Sequence, residues 1–171
     1  DKTYQFDFDE KADIVICGST APTNHLFFHT SWAVVNVDPI TKDDGTIIFA
    51  SPCPGYHAWD GFALMDVLKE YMPPSQENHE KALKDFYNHK NELWAGCIWY
   101  KIYEVMVRKS TEYVTFEENL EFAKEVGLNA SGPEDFQGLF DRLLDKYGDN
   151  ATVAFVPYGR YTVLTEKTNK L

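Results

Sequence analysis

Between Ala12 and Cys17 the chain reads Ala-Asp-Ile-Val-Ile-Cys, a short apolar run stopped by Gly18. A run of that length with little alternation suits a strand covered on both faces, as in a parallel sheet. Polar and turn-forming residues follow (Ser-Thr-Ala-Pro-Thr-Asn), and Asn24 stands where a helix N-cap belongs. From His25 to about Val37, apolar residues at Leu26, Phe27, Trp32, Ala33 and Val34 predict a largely buried helix closed by Asp38-Pro39. Lys42-Asp-Asp-Gly45 reads as a turn, and Gly45-Thr-Ile-Ile-Phe-Ala-Ser51 as a second strand that ends in Pro-Cys-Pro-Gly-Tyr. Strand, polar loop, helix, strand, polar loop is a βαβ unit, whose two strands lie parallel.

The remainder continues the alternation. Asp60 is placed to cap a helix through Met72, Pro73-Pro74-Ser75 breaks the chain, and Ser75 with Asn78 opens a polar helix to about Lys90. In Asn91–Lys109 the residues Leu93, Trp94, Cys97, Ile98, Lys101, Ile102 and Val105 recur at three- and four-residue steps, a strong helix pattern. Glu112–Phe116 reads as a third strand, Glu117–Val126 as a short helix stopped by Gly127, and Pro133 as the first turn of a helix ending at Tyr147-Gly148. Thr152–Pro157 reads as a fourth strand, followed by Tyr158-Gly-Arg-Tyr-Thr162, and the tail Thr165–Leu171 is expected to fray or to continue elsewhere. About four buried strands alternating with helices predict a three-layer, Rossmann-like α/β domain with a mostly parallel sheet. There is no internal repeat, so residues 1–171 are read as a single domain.

Charge narrows the partners. The 171 residues carry a formal net charge of −11 with no basic cluster, so nucleic acid and anionic membrane surfaces are excluded as partners. No apolar run reaches the roughly 20 residues of a membrane span, and the acidic, aromatic start is no signal peptide. Three widely spaced cysteines, Cys17, Cys53 and Cys97, match a reducing compartment rather than a disulfide scaffold, so a cytoplasmic location is expected. Asn129-Ala-Ser131 and Asn150-Ala-Thr152 match the glycosylation triplet, and without a secretory signal are read as chance. A start at Asp1 without methionine is read as a piece of a longer chain.

In parallel sheets, ligands bind beyond the carboxyl ends of the strands. Loops Gly18–Asn24, Ser51–Asp60 and Pro157–Arg160 should therefore converge, bringing together Ser19, Thr20, Asn24, Cys53, Tyr56, His57, Trp59, Asp60, Tyr158 and Arg160. Taken singly, capping and turn chemistry accounts for each. Together they make a small-molecule face. His25 and His29, four apart, could share a helix face, but no Glu stands between them and no third metal ligand is near. His29 alone suits a proton donor or substrate contact. Cys53, with His57 and Asp60 downstream, allows a Cys/His nucleophile, against the simpler reading of a small residue packed under a tight loop. Gly18-Ser-Thr-Ala-Pro-Thr is neither GxGxxG nor a Walker loop. Trp94 is ordinarily core, and would wall a substrate if its helix flanks the cleft.

Ala12-Asp-Ile-Val-Ile-Cys, Pro22-Thr-Asn-His-Leu-Phe-Phe-His-Thr-Ser-Trp32, Asp44-Gly45-Thr-Ile-Ile, Ser51-Pro-Cys-Pro-Gly55 and the ending Gly148–Thr162 together resemble the C-terminal domain of the lactate racemase family, the nickel-pincer-nucleotide enzymes. The resemblance implies a substrate-side domain of a 2-hydroxyacid racemase or epimerase. Such a domain would be the C-terminal part of a two-domain protein, partnered by its own N-terminal domain and inactive alone. The nickel-pincer nucleotide would be held mainly by that N-terminal domain, leaving no metal ligand and no catalytic residue to assign on this chain. Aligned from Pro22, the family's Tyr-Gln-Ala-x-Lys falls on Phe28-His29-Thr30-Ser31-Trp32, so His29 and Trp32 replace the glutamine and lysine that help hold a hydroxyacid carboxylate. Tryptophan supplies no ammonium. Either another cation such as Arg160 takes over, or the substrate is larger and less charged. Asn24, His29, Trp32, Trp94 and Arg160 are thus the expected substrate-binding residues. The alternative is a non-catalytic α/β module that binds a small ligand or a partner.

Overall fold

The structure, a computed structural model, describes residues 4–24, 27–54, 69–90 and 93–167, with the backbone alone at Phe28 and at 93–99. Its strands are β1 (Gln5–Phe8), β2 (Ala12–Gly18), β3 (Thr41–Ala50), β4 (Ser110–Val114), β5 (Ala130–Ser131), β6 (Val153–Val156) and β7 (Val163–Glu166). Its helices are α1 (Phe27–Thr30), α2 (Trp32–Val37), α3 (Gln76–Tyr87), α4 (Leu93–Arg108), α5 (Leu120–Glu125) and α6 (Phe136–Tyr147). Five strands form one sheet in the order β5-β4-β3-β2-β6, every pair parallel. The chain steps outward from β2 to β5 and then returns to place β6 on β2's other side. The order therefore reverses between β2 and β6, the point where open α/β sheets leave a crevice.

Side chains alternate across this sheet as a period of two requires. Val15, Cys17, Ile47, Phe49 and Tyr113 enter the larger core with α1, α2 and α4, where the rings of Phe27, Phe49 and Tyr113 pack on one another. Ile14, Ile48 and Val114 enter a smaller core, covered by Leu139 and Leu143 of α6. Three layers result, as expected. Among the described residues, no helix is long and apolar enough to cross a membrane.

Local departures from the pattern have local causes. The helix expected over 25–37 is interrupted at Ser31, giving α1 and α2 within the described part. Lys42–Gly45 lies inside β3 rather than in a free turn: Ala12 pairs with Thr41 but Ile14 with Thr46, so the extra residues bulge outward. Gly45 sits where a Cβ would meet the Lys42 and Asp13 carbonyl oxygens at 2.9 and 3.0 Å, a space only glycine fits. The third strand begins at Ser110 rather than Glu112, and Pro133 opens a 3-10 turn that leads into α6. The expected fraying of Thr165–Leu171 is corrected for its first residues: β7 runs to Glu166 and pairs in parallel with β1, as a second, two-stranded sheet. The helix capped by Asp60 lies outside the described residues over 60–68.

Candidate functional site

Three loops meet at the carboxyl ends of β2, β3 and β6. The first is closed by its own hydroxyls: Ser19 Oγ and Thr23 Oγ1 are 2.8 Å apart, and Thr23 Oγ1 donates to the Thr20 carbonyl at 3.0 Å. Turn chemistry thus accounts for Ser19. The Cys53 amide donates to the Asn24 carbonyl at 3.1 Å, joining the first loop to the one after β3. Asn119 holds that second loop from beneath, its side-chain amide donating to the Pro52 carbonyl at 2.9 Å. In the third loop, Asn36 of α2 donates to the carbonyls of Gly159 and Arg160, both at 2.9 Å. Gly159 lies against α2 and β2; a Cβ there would stand 3.1 Å from Ala33 Cβ and 3.2 Å from Cys17 Cβ. This close approach seats the turn over 159–161 against α2 and β2.

The Arg160 charge lies within electrostatic reach of His29 in α1. Partial burial, reinforced by the positive charge of Arg160, holds the His29 imidazole below its ordinary value. The Arg160 guanidinium carbon lies 5.8 Å from the Tyr161 ring centroid. Among the described residues, Arg160 Nε and Asn24 Oδ1 are buried polar atoms without a hydrogen-bond partner. Buried polar atoms in folded proteins are nearly always paired, so each of these two has capacity for a polar ligand or a water. A guanidinium with donor capacity to spare and a neutral imidazole beside it can hold an anionic oxygen and accept or return a proton.

Next to this pair, Tyr4, Phe6, Thr20, Ala21, Tyr158, Tyr161 and Thr162 line a cleft of about 450 Å³. It opens beside the reversal point of the sheet. A second cavity, between Phe27, Phe49, Ile102 and Tyr113, measures only about 20 Å³ and holds at most a water.

Of the expected site residues, the fold places the Arg160 charge within electrostatic reach of His29, with Asn24 at the junction of the first two loops. Trp32 is half-buried and packs against the larger core. Trp94 belongs to α4, and its side chain lies outside the described residues, as do His25, Tyr56, His57, Trp59 and Asp60. Cys53 is fully buried, which pushes its thiol up, away from a nucleophile's range. The Cys/His reading is corrected accordingly, in favour of a small residue under a tight loop. Among the described residues, no three His, Cys, Asp or Glu side chains are grouped to hold a metal. Sequence reasoning missed Tyr4, Phe6, Tyr161 and the positioning role of Asn36. The alternation Tyr4-Gln-Phe6-Asp-Phe8 carried a strand signal that would have found the first two.

A parallel, doubly wound α/β domain with a cleft at the strand-order reversal is the class these features define. No known protein family's sequence profile matches the chain, and no curated protein matches it. Among solved structures, the fold is similar to that of the lactate racemase apoprotein from Thermoanaerobacterium thermosaccharolyticum, with a TM-score of 0.74 and 19% identity over 91% of this chain and 36% of that one. It is also similar to a protein from Thermotoga maritima, with a TM-score of 0.62 and 11% identity over 96% of this chain and 39% of that one. Identities this low establish a shared fold. The chain spans little more than a third of the length of either structure.

Proposed function

We propose that this chain is the substrate-side domain of a 2-hydroxyacid racemase or epimerase related to lactate racemase, with Arg160 and His29 receiving the substrate's carboxylate end. The observation that carries the reading is the buried Arg160 Nε, without a hydrogen-bond partner among the described residues, in a loop at the strand ends of a fold similar to the lactate racemase apoprotein. In this reading Arg160 supplies the positive charge that Trp32 lacks, Asn24 offers its unpaired acceptor to the substrate hydroxyl, and Trp32 and Trp94 limit substrate shape. The domain closes a cleft against an N-terminal domain of the same protein. The described residues present no ligand set for nickel, so a nickel-pincer nucleotide would be held by that other domain and no step is assigned through it.

The test is nickel content and intact mass of the full-length protein, purified from cells able to make the pincer cofactor. About one metal per chain, with a nucleotide-sized covalent increment, is the expected result. Absence of both, while a control lactate racemase matures normally in the same cells, overturns the racemase reading. The domain would then be a binding module, with the cleft lined by Tyr4, Phe6, Tyr158 and Tyr161 as its ligand site.

A further inference from the structure

We infer that the cleft beside Arg160 is a subsite for a flat apolar ring, so that the acid this protein takes carries an aromatic or similarly planar substituent. This rests on the reading of Arg160 as the carboxylate's cation. Tyr4 and Tyr158 are 63% and 61% exposed, and Phe6 is 56% exposed. Rings of that size are rarely left so open together on a surface unless something packs on them. With Tyr161 they face one cleft, whose volume of about 450 Å³ falls in the range of small-molecule sites.

The lining also says what the ring carries. Among the described residues it contains no charged or carboxamide side chain. Its polar groups are the phenol hydroxyls of Tyr4, Tyr158 and Tyr161 and the hydroxyls of Thr20 and Thr162, the last already spent on the Tyr158 carbonyl at 2.8 Å. A polyhydroxylated ligand such as a sugar acid needs directed donors and acceptors around its whole ring, more than these few hydroxyls supply. A flat apolar ring needs only faces to stack on. Positive charge stands at one border, since Arg160 lies over the ring of Tyr161. In a chain of net charge −11 this local cation beside apolar walls selects an anion joined to an apolar body.

The experiment is calorimetric titration of the full-length protein with lactate, with 3-phenyllactate, and with uncharged 2-phenylethanol. It is repeated on Tyr158→Ala, Phe6→Ala and Arg160→Ala. The expected result is phenyllactate binding about tenfold or more tighter than lactate, with that ratio falling in Tyr158→Ala and Phe6→Ala. Arg160→Ala should weaken both acids. Equal affinity for the two acids overturns the ring subsite while leaving the Arg160 reading in place. A phenyl preference untouched by either ring variant also overturns it, because the ring then sits elsewhere. Binding of 2-phenylethanol in a Tyr158-dependent way, without either acid binding, supports the ring site and overturns the carboxylate reading. No binding of any of the three overturns both.

Discussion

At the scale of single residues, His29 shows two effects acting in one direction. Loss of water around the ring disfavours the imidazolium, and the Arg160 charge disfavours it further. The unfolded chain therefore binds the proton more readily than the folded one. Below the unfolded value this residue subtracts from stability, and above it the penalty disappears. At neutral pH the ring is an uncharged acceptor beside a fixed cation. Titration of the imidazole resonances should place its midpoint under the ordinary histidine value of about 6.5. Arg160→Ala should raise that midpoint without fully restoring it, because burial is the larger cause. A midpoint that stays put or falls in the variant would show that the two side chains do not face each other. The sequence named both residues, from the helix start and the loop after the last strand of the sheet. It held no sign of their pairing, which depends on Gly159 seating a loop against a helix more than 120 positions away.

At the scale of elements, the end of the sheet opposite the candidate site is tied by a buried cation. Lys109 follows α4, and its ammonium donates to the carbonyls of Asp38 and Thr41 at 2.6 Å each, with Asp38 Oδ1 at 2.8 Å. Arg108 shares the same carboxylate at 2.8 Å. The pair joins α4 to the turn leading into β3. Burial raises the Asp38 carboxyl, and the two cations more than offset this to leave it below its ordinary value. Lys109→Met should cost about 2–4 kcal/mol in urea unfolding, since three acceptors lose their donor in a dry place. A change under about 0.5 kcal/mol, the usual scale for surface substitutions, would mean that water replaces the ammonium. The helical pattern of 91–109 was legible because its apolar spacing is local. Lys109's role was not, since a lysine at a helix end ordinarily points into solvent.

At the scale of the whole molecule, stability toward acid depends on carboxylates that hold separate elements together. Asp13 of β2 accepts from Lys42 at 2.8 Å and from the Thr152 amide and hydroxyl at 2.8 and 2.7 Å. The Lys42 bond above all, then those from Thr152, lowers its carboxyl from 3.8 to about 2. A carboxylate with a depressed folded value stabilises above its unfolded value and loses that contribution as pH falls toward the folded one. The window is thus about pH 4 down to about 2. Asp13→Asn should lower stability by about 1–2 kcal/mol at neutral pH, discounted because Lys42 is partly exposed. The gap between variant and parent should close near pH 2. A gap of constant size across denaturation curves at pH 7 and pH 2.5 would assign the effect to packing instead.

The sequence by itself determined the three-layer parallel architecture and most element positions. Short apolar runs, helical spacing and turn residues act over a few neighbours, and a strand buried on both faces leaves its mark in composition. It also determined which loops gather at one edge, because parallel strands put their carboxyl ends on the same side. Only the tertiary structure decided that β1 and β7 pair, and that the strand order reverses between β2 and β6. Only it brought Tyr4 and Phe6 from one end of the chain to Tyr158 and Tyr161 near the other. Such contacts join segments some 150 residues apart, and no local pattern encodes which distant surface a half-exposed strand will meet.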